Sequence, residues 1–414
     1  MKRALLGVAV VACVGAAGAA QAGEEVTVDG VLHVMNTSVP AKGDRVVHLE
    51  EVWRVGGEDS EDFFGMISQV RVGDDGLIYL LDTRLSEVPV YSREGDRVAT
   101  LSREGDGPGE TRIPSNLLFM PDGTLGIVQV FPGKIIKIGT DGTPAGTFQP
   151  GGGDPTKGGF LQMFDCAANG DDIVVTAEAI SPGGPTSQDR SNYVASFDAA
   201  GNELVRYYEN NFHWDFTNFE LDEDGMDRLN FRRVVAGPDG RLYIAQNRNA
   251  YVITVYHRDG TVERVIEREF EHWTRSDEEF KRVTEIAEAQ LAQIPNAKIT
   301  MSKTEPDIGS LTFGPDGNLW VASSRSGRDV PDGVLTRWDV FTPDGHFIET
   351  VSAMCPGDSE NDILIWAGEG AAVQVTGFAE AARALNSGGA GGGDDADGGE
   401  AEPMEVIYLR VAGL

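Results

Sequence analysis

The stretch Gly237-Pro238-Asp239-Gly240-Arg241-Leu242-Tyr243 decides the fold, because four similar stretches occur elsewhere in the chain. Each has a short apolar run, an acidic residue or Asn beside a Gly, and a second apolar run. The other four are Val70-Arg71-Val72-Gly73-Asp74-Asp75-Gly76-Leu77-Ile78-Tyr79, Phe119-Met120-Pro121-Asp122-Gly123-Thr124-Leu125, Ala168-Asn169-Gly170-Asp171 and Gly314-Pro315-Asp316-Gly317-Asn318-Leu319-Trp320. A long repeat made of short strands indicates a radial β architecture.

A second turn follows the first within a repeat after 19 or 20 residues. Gly76 and Gly95 are 19 residues apart, and so are Gly123 and Gly142. Acid-Gly turns between apolar runs are typical of β-hairpins, because Gly accepts a positive φ without steric cost. We therefore predict four antiparallel strands in each repeat, named a to d, as in a propeller blade.

A sixth, incomplete repeat ends the chain, with apolar runs at residues 363–366, 372–375 and 406–411. Its fourth strand is available near the other end of the chain, at residues 46–53. A terminal strand that completes the last blade removes an open sheet edge. We predict an all-β protein, a six-bladed β-propeller closed by this N-terminal strand, with one helical insertion.

The first 22 residues are expected to be a signal peptide. Two basic residues precede an apolar run that ends at the small-x-small cleavage site Ala20-Gln21-Ala22. Residues 23–414 would then form a single propeller domain in the periplasm or outside the cell. The alternative is a lipoprotein, with Val10-Val11-Ala12-Cys13 as lipobox and the anchor on Cys13.

Charge and cysteine content narrow the possible partners. The net charge of −32 repels phosphate backbones, which argues against nucleic acid as a partner. No later stretch is long and apolar enough to span a membrane. Only Cys166 and Cys355 follow the signal peptide, and we expect two free thiols. We expect a monomer whose partner is an unknown small molecule or protein.

Parts of the first repeat resemble a known family. The stretches Ile78-Tyr79-Leu80-Leu81-Asp82-Thr83, Val88-Pro89-Val90-Tyr91 and Gly105-Asp106-Gly107-Pro108-Gly109-Glu110 resemble an NHL-type blade. Residues 53–411 resemble the bacterial exported six-bladed β-propeller family, a TolB-like group whose members mostly lack an assigned activity. The resemblance implies architecture and little chemistry. NHL blades often carry Asn and Arg where this chain has Leu85-Ser86-Glu87, so NHL nucleic-acid or peptide contacts are not carried over.

The longer insertions share one side of the predicted propeller. Because strands alternate in direction, the b–c and d–a connections lie together on one face, which we call the loop face. Its insertions are d–a loops at residues 211–216 and 269–305, b–c loops at 180–190 and 323–333, and a Gly- and Asp-rich segment at 387–403 expected to be disordered. Such concentration indicates a binding face, unless the tight turns opposite simply cannot lengthen.

One of these insertions should contain the helix. In residues 269–305, Ser276 is a predicted N-cap and Glu279 completes a capping box. Apolar residues at helical spacing then give the helix one buried side, formed by Phe280, Val283, Ile286, Ala287 and Leu291.

Residues just after strand b should point toward the mouth of the channel on the loop face. They are the predicted ligand-binding residues: Asp82, Arg84, Gln129, Phe131, Gln246, Arg248, Ser323 and Arg325. The three arginines could clamp an anion, because guanidinium pairs with carboxylates in a bidentate manner. Alternatively, they pair with the acidic residues of the chain itself.

Catalytic motifs are absent from the sequence. It contains no paired metal-binding histidines such as HExxH, no Gly-x-Ser-x-Gly elbow and no P-loop. We therefore predict a non-catalytic binding propeller and name no catalytic residue, metal ligand or cofactor. The alternative is a metal-dependent hydrolase or lyase with its site at the mouth of the channel, which requires distant histidines to converge.

Overall fold

The computed structural model describes residues 23–58, 60–152, 159–226, 228–229, 232–368, 370–387 and 403–412. The predicted signal peptide, the alternative anchor at Cys13 and nearly all of the predicted disordered segment lie outside these residues. No helix among the described residues is long and apolar enough to cross a membrane.

Short antiparallel strands dominate the chain. Three strands come first: β1 (Glu24–Val28), β2 (Val31–Asn36) and β3 (Asp44–Gly56). Sheet 1 contains β4 (Ile67–Val72), β5 (Ile78–Asp82), β6 (Val88–Tyr91) and β7 (Arg97–Leu101). Sheet 2 contains β8 (Pro114–Phe119), β9 (Leu125–Gln129), β10 (Lys134–Ile138) and β11 (Pro144–Phe148), before a 3-10 turn at Pro150–Gly152. Sheet 3 contains β12 (Phe160–Asn169), β13 (Asp172–Gly184), β14 (Ser187–Phe197) and β15 (Glu203–Asp215).

The second half of the chain continues the pattern with two helices added. After β16 (Glu220–Asp222), sheet 4 contains β17 (Val234–Ala236), β18 (Leu242–Ile244), β19 (Val252–Tyr256) and β20 (Val262–Arg268). Helix α1 (Asp277–Leu291) and β21 (Lys298–Thr300) precede sheet 5, with β22 (Ile308–Phe313), β23 (Leu319–Ser323), β24 (Val334–Phe341) and β25 (Phe347–Met354). The last elements are β26 (Ile363–Gly368), β27 (Ala371–Val375), α2 (Phe378–Ser387) and β28 (Glu405–Val411).

The repeated turns have the predicted local structure. Gly240 has a φ of +80°, and its amide donates to the carbonyl oxygen of Gly237 at 3.0 Å. The carboxylate of Asp239 accepts the amide of Arg241 at 3.0 Å. The acid therefore satisfies the backbone of the turn while Gly supplies the positive φ.

The turn acid also contacts the aromatic residue four positions later. The Tyr79 hydroxyl donates to Asp75 Oδ2 at 2.8 Å, and Trp320 Nε1 donates to Asp316 Oδ1 at 3.0 Å. Both rings are almost completely buried. Each turn is thus fixed to the apolar core through the polar tip of a buried ring.

Six clusters of buried apolar side chains hold the sheets together in the described part of the chain. They join sheets 1 and 2, 2 and 3, 3 and 4, 4 and 5, 5 and 6, and 6 and 1, where sheet 6 is formed by β26, β27, β28 and β3. Sheets that pack face to face in this order have the arrangement of a β-propeller.

Strand β3 joins the beginning of the chain to its end. Its first half, from Asp44 to His48, pairs in parallel with β25, and its second half pairs antiparallel with β28. The indole of Trp53 stacks on Tyr408 at 5.2 Å and on Tyr91 of sheet 1 at 5.7 Å, between ring centroids. The predicted segment 46–53 is a strand, and its residues from Leu49 onward pair with β28 of the last sheet; its pairing with β25, which joins sheets 5 and 6, was not predicted.

Two predictions about the loop face are wrong. Residues 180–190 and 211–216 were expected as loops, but β13 continues to Gly184, β14 begins at Ser187 after a two-residue turn, and β15 continues to Asp215 in the same antiparallel sheet. The reason is a pair of contacts made by Arg190 across the strands. Its guanidinium carbon lies 3.5 Å from the centre of the Trp214 ring, and its Nη1 donates to the fully buried carboxylate of Glu178 at 2.7 Å. These cross-strand contacts satisfy the charges that would otherwise favour a solvated loop.

Helix α1 confirms the predicted capping box. The Ser276 amide donates to Glu279 Oε2 at 2.8 Å, and the Glu279 amide donates to Ser276 Oγ at 3.2 Å. The prediction of one helical insertion is wrong, however, because α2 is a second helix. Its Ala-rich sequence has high helix propensity, a signal that was present in the chain.

Two further features complete the comparison with the sequence. The hairpin of β1 and β2 was not predicted, although Asp29-Gly30 is again an acid-Gly turn, and β2 pairs in parallel with β20 to extend sheet 4. Cys166 and Cys355 are both buried free thiols, as expected.

Replacing Trp53 tests the role of β3 in stability. Trp53→Ala removes a 9% exposed ring that contacts two sheets, so we expect the free energy of unfolding to fall by about 3–5 kcal/mol. Urea unfolding followed by circular dichroism measures the change. Val52→Ala, at the 44% exposed neighbouring position, is the matched control and should cost about 0.5 kcal/mol or less. A loss below about 1 kcal/mol for Trp53→Ala would contradict the role assigned to this strand.

Candidate functional site

A central cavity of about 280 Å³ is lined by the first strand of every sheet or by the residues beside it. Within a strand, residues two apart share a face, so Gln69 and Arg71 of β4 both face this cavity. One lining residue from each sheet, in sheet order, is Arg71, Asn116, Asp165, Val234, Ser310 and Trp366. The cavity is therefore built by elements far apart in sequence.

Among the described residues that line the cavity, one has a carboxylate, Asp165. Its Oδ1 accepts the amide of Cys166 at 2.9 Å and is also bonded to the Asn116 side-chain amide. Its Oδ2 accepts the backbone amide of Arg232 at 3.1 Å. The carboxylate thus fixes two backbone amides and one side-chain amide, and it is not bound directly to a guanidinium.

Two arginines line the same cavity. Arg71 Nη1 donates to the carbonyl oxygen of Val70 at 2.8 Å and to Gln69 Oε1 at 3.3 Å, and its Nη2 reaches Asn116 Oδ1 at 3.4 Å. Arg232 Nη2 donates to the carbonyl oxygen of Ser68 at 2.9 Å. Within the described part of the chain, neither arginine has a carboxylate oxygen within 4.0 Å of its guanidinium nitrogens.

Burial acts on all three charged groups. It lowers the pKa of Arg71 and of Arg232, because protein atoms replace the water that would solvate each guanidinium. Burial raises the pKa of Asp165, against the opposing effect of the Arg232 amide and the Arg71 charge. Each of the three side chains is still partly accessible from the cavity. With all three ionised, they place a net charge of about +1 inside the protein.

Part of the cavity lining is apolar. Trp338 and Trp366 lie 5.6 Å apart between ring centroids and are joined there by Leu311, Leu364 and Ile365. A small polar set facing an apolar wall is typical of small-molecule sites.

The cavity reaches the loop face. Arg232 lies two residues before the start of β17, at the d–a end of that inner strand, and its guanidinium lies 5.6 Å from the centre of the Phe378 ring. Phe378 begins α2, which lies in the connection between β27 and β28. Helix α2 in turn contacts α1, so both helices cover the same side of the molecule.

Two of the eight sequence-predicted site residues have structural partners within their own sheets. Asp82 is fully buried, and its carboxylate accepts the backbone amides of Gly65 at 2.7 Å and Leu85 at 2.9 Å. Gln129 is 3% exposed and accepts the amide of Arg112 at 3.1 Å. Both side chains shape the loops that follow their strands.

Two of the predicted arginines pair with acids of the chain. Arg248 lies 3.0 Å from a Glu223 oxygen and 3.2 Å from Asp224 Oδ1, and its side chain is 6% exposed. Arg325 lies 3.3 Å from Glu271 Oε2 and 3.5 Å from Asp329 Oδ2. The alternative that these arginines bind the acids of the chain itself describes their contacts.

The other four predicted residues lie outside the central cavity. Gln246 lines a shallow hollow with Arg248, and Ser323 Oγ accepts the amide of Arg325 at 3.3 Å. Arg84 is exposed, and Phe131 is 43% exposed with its ring 5.6 Å from that of Phe160. None of the eight lines the central cavity, and their contact with a ligand stays a prediction.

The sequence analysis missed Arg71, Asp165 and Arg232. A signal was present, because Arg71 and Asp165 are charged residues inside otherwise apolar strand-a segments, Val70-Arg71-Val72 and Phe164-Asp165-Cys166. Assigning them to one site requires knowing that the first strand of every sheet faces the same axis.

Other titratable groups do not form a metal centre in the described residues, where no three His, Cys, Asp or Glu side chains stand close enough to hold an ion. One pair on the loop face is notable. His272 Nδ1 lies 2.7 Å from Oδ1 of Asp307, which is 1% exposed. Burial raises the pKa of Asp307, and the bond to His272 opposes this effect.

Comparisons with known proteins give distant structural likenesses. No family model matches the chain, and no curated protein matches it. The chain is similar to an exported protein from Bacteroides fragilis NCTC 9343, with a TM-score of 0.49 and 9% identity over 91% of this chain and 99% of that one. It is also similar to a gluconolactonase from Xanthomonas campestris, with a TM-score of 0.44 and 13% identity over 87% of this chain and 89% of that one.

A third likeness is to a virginiamycin B lyase from Staphylococcus aureus, with a TM-score of 0.39 and 13% identity over 80% of this chain and 82% of that one. At these identities and TM-scores, the likenesses assign no residue role and no activity to this chain.

Replacing Arg71 by an apolar residue tests whether its charge opposes folding. Because burial disfavours the charged guanidinium, Arg71→Met should leave the free energy of unfolding unchanged or raise it by about 1 kcal/mol. Urea unfolding at neutral pH measures this. Arg206→Met, which removes an exposed arginine paired with Glu203 and Glu209, is the control and should lower stability by about 1 kcal/mol or less. A loss above about 2 kcal/mol for Arg71→Met would show that this arginine holds the fold together.

Proposed function

We propose that this protein is an exported six-bladed β-propeller, closed by β3, that binds a small molecule in its central cavity without transforming it. The observation that carries the proposal is the cavity itself. Inner strands of all six sheets contribute to it, and they bring two arginines, one carboxylate and several neutral polar groups to one place.

The closed six-bladed ring is supported by strand pairing and by packing. Strand β3 pairs with β28 and supplies the fourth strand of the sixth sheet. A shared apolar cluster then connects this sheet to sheet 1 through Trp53, Tyr91 and Val373. In a closed ring no blade leaves an open face, which explains why the inner strands converge on one axis.

Binding is favoured over catalysis by the way the polar groups are used. The Asp165 carboxylate accepts amide N–H groups on both oxygens, so it is occupied in holding the wall of the cavity. The arginines stay charged across the physiological range and do not exchange protons with a substrate. Such a set can orient a ligand by charge and hydrogen bonds.

A ligand screen with cavity-filling variants tests this proposal. The purified mature protein is screened by thermal shift against small metabolites of varied charge, and hits are titrated calorimetrically. Ser310→Leu places a larger side chain in the cavity and should weaken binding at least tenfold, about 1.4 kcal/mol. Ser38→Leu, at an exposed position between β2 and β3, is the matched control and should change affinity less than twofold.

Several outcomes would contradict the proposal. One is a screen without any ligand that stabilises the protein. Another is loss of binding in Ser323→Leu with unchanged binding in Ser310→Leu, which would move the site to the rim residues predicted from the sequence. Conversion of a bound ligand to product, followed by mass spectrometry, would contradict the absence of catalysis.

A further inference from the structure

We infer that the central cavity selects a small organic carboxylate with an apolar body, bound through the guanidinium groups of Arg71 and Arg232. The inference rests on the proposed function, because it names the class of ligand for that same cavity.

The charges that line the cavity do not balance. When all three groups are ionised, Arg71 and Arg232 bring two positive charges into the cavity and Asp165 brings one negative charge. An uncompensated charge removed from bulk water is costly unless it is paired. A ligand with one negative charge makes the site neutral, whereas a dianion such as a phosphate monoester leaves an excess negative charge beside Asp165.

Several N–H groups of the two guanidinium groups are available to a ligand. Arg71 uses its two Nη atoms for carbonyl and amide oxygens of the chain, and Arg232 uses one Nη atom for Ser68. Nε of both arginines and Nη1 of Arg232 have no hydrogen-bond acceptor among the described residues. Guanidinium N–H groups bind carboxylates strongly because the acceptor is charged.

Hydrogen bonds to amide groups keep the Asp165 carboxylate from binding these guanidinium N–H groups. Its two oxygens already accept the amides of Cys166 and Arg232 and the side-chain amide of Asn116. Rotation toward a guanidinium would leave buried amide groups without acceptors, at a cost of about 1–3 kcal/mol each. The chain therefore holds its own carboxylate away from the arginines, and the place beside them stays open to an external one.

Size and shape limit the rest of the ligand. A cavity of about 280 Å³ is slightly below the usual range for small-molecule sites, roughly 300–1,000 Å³, so the ligand must be small. Trp338, Leu364 and Trp366 form an apolar wall, which favours an aromatic or branched aliphatic body. The net charge of −32 does not exclude an anion, because salt screens charges beyond a distance of about 8 Å.

Matched pairs of probes test the inference on the mature wild-type protein. Benzoate, phenylacetate and 4-methylpentanoate are each titrated calorimetrically beside their primary amides, which have nearly the same shape and no charge. Phenyl phosphate is the dianionic probe. We expect at least one carboxylate to bind ten times more tightly than its amide and than phenyl phosphate. Equal binding of acid and amide, or binding of none of the three carboxylates, would overturn the inference.

Two variants locate the effect. Arg71→Gln and Arg232→Gln should each weaken the carboxylate at least tenfold and leave the affinity for any binding amide within twofold. Arg206→Gln, on the outer strand of sheet 3, is the matched control and should change neither. If both cavity variants bind the carboxylate as the wild type does, the inference is wrong.

The outcomes separate the inference from the proposed function. A neutral or cationic ligand that binds wild-type protein and is lost in Ser310→Leu would keep the cavity as the binding site and reject the carboxylate. Absence of every ligand from the broad screen would reject the proposed function itself.

Discussion

The pairing of β3 with β28 is the interaction on which the rest of the structure depends. It joins residues more than 300 positions apart in sequence and gives the sixth sheet its fourth strand. Trp53, carried by this strand, stacks on Tyr408 and Tyr91 and thereby joins the last sheet to the first. Without β3, the apolar cluster shared by sheets 6 and 1 would lose the Trp53 ring.

The central cavity follows from the same constraint. Residues on or beside the first strand of each sheet line this cavity, together with Val174 and Thr176 of β13 and Trp338 of β24. Filling this space with apolar residues would be the cheaper solution, because buried charges lose their hydration. The chain instead places Arg71, Arg232 and Asp165 there. These buried charges are costly, and they lie where all the sheets meet. We assign the function to the cavity for this reason.

The parts that the sequence predicts are those set by local chemistry. Asp239-Gly240 forms its turn through Gly φ and an Asp-to-amide bond, both within a few residues, and Ser276 with Glu279 caps α1 in the same local way. The extension of β13 to β15 was missed because it depends on Arg190 meeting Trp214 across strands. The predicted rim residues were chosen from their position after strand b. The partners that the structure gives them are mostly neighbouring acids and amides of the chain. Arg71, Asp165 and Arg232 come together only in the tertiary structure, because they lie on or beside the first strands of different sheets.

The most direct test of this account is a crystal structure of the mature protein with a bound aromatic carboxylate such as phenylacetate. The account predicts six four-stranded sheets closed by β3, with the carboxylate oxygens about 2.7–2.9 Å from guanidinium nitrogens of Arg71 and Arg232. Electron density for the carboxylate beside Arg248 or Arg325, with an empty central cavity, would contradict it.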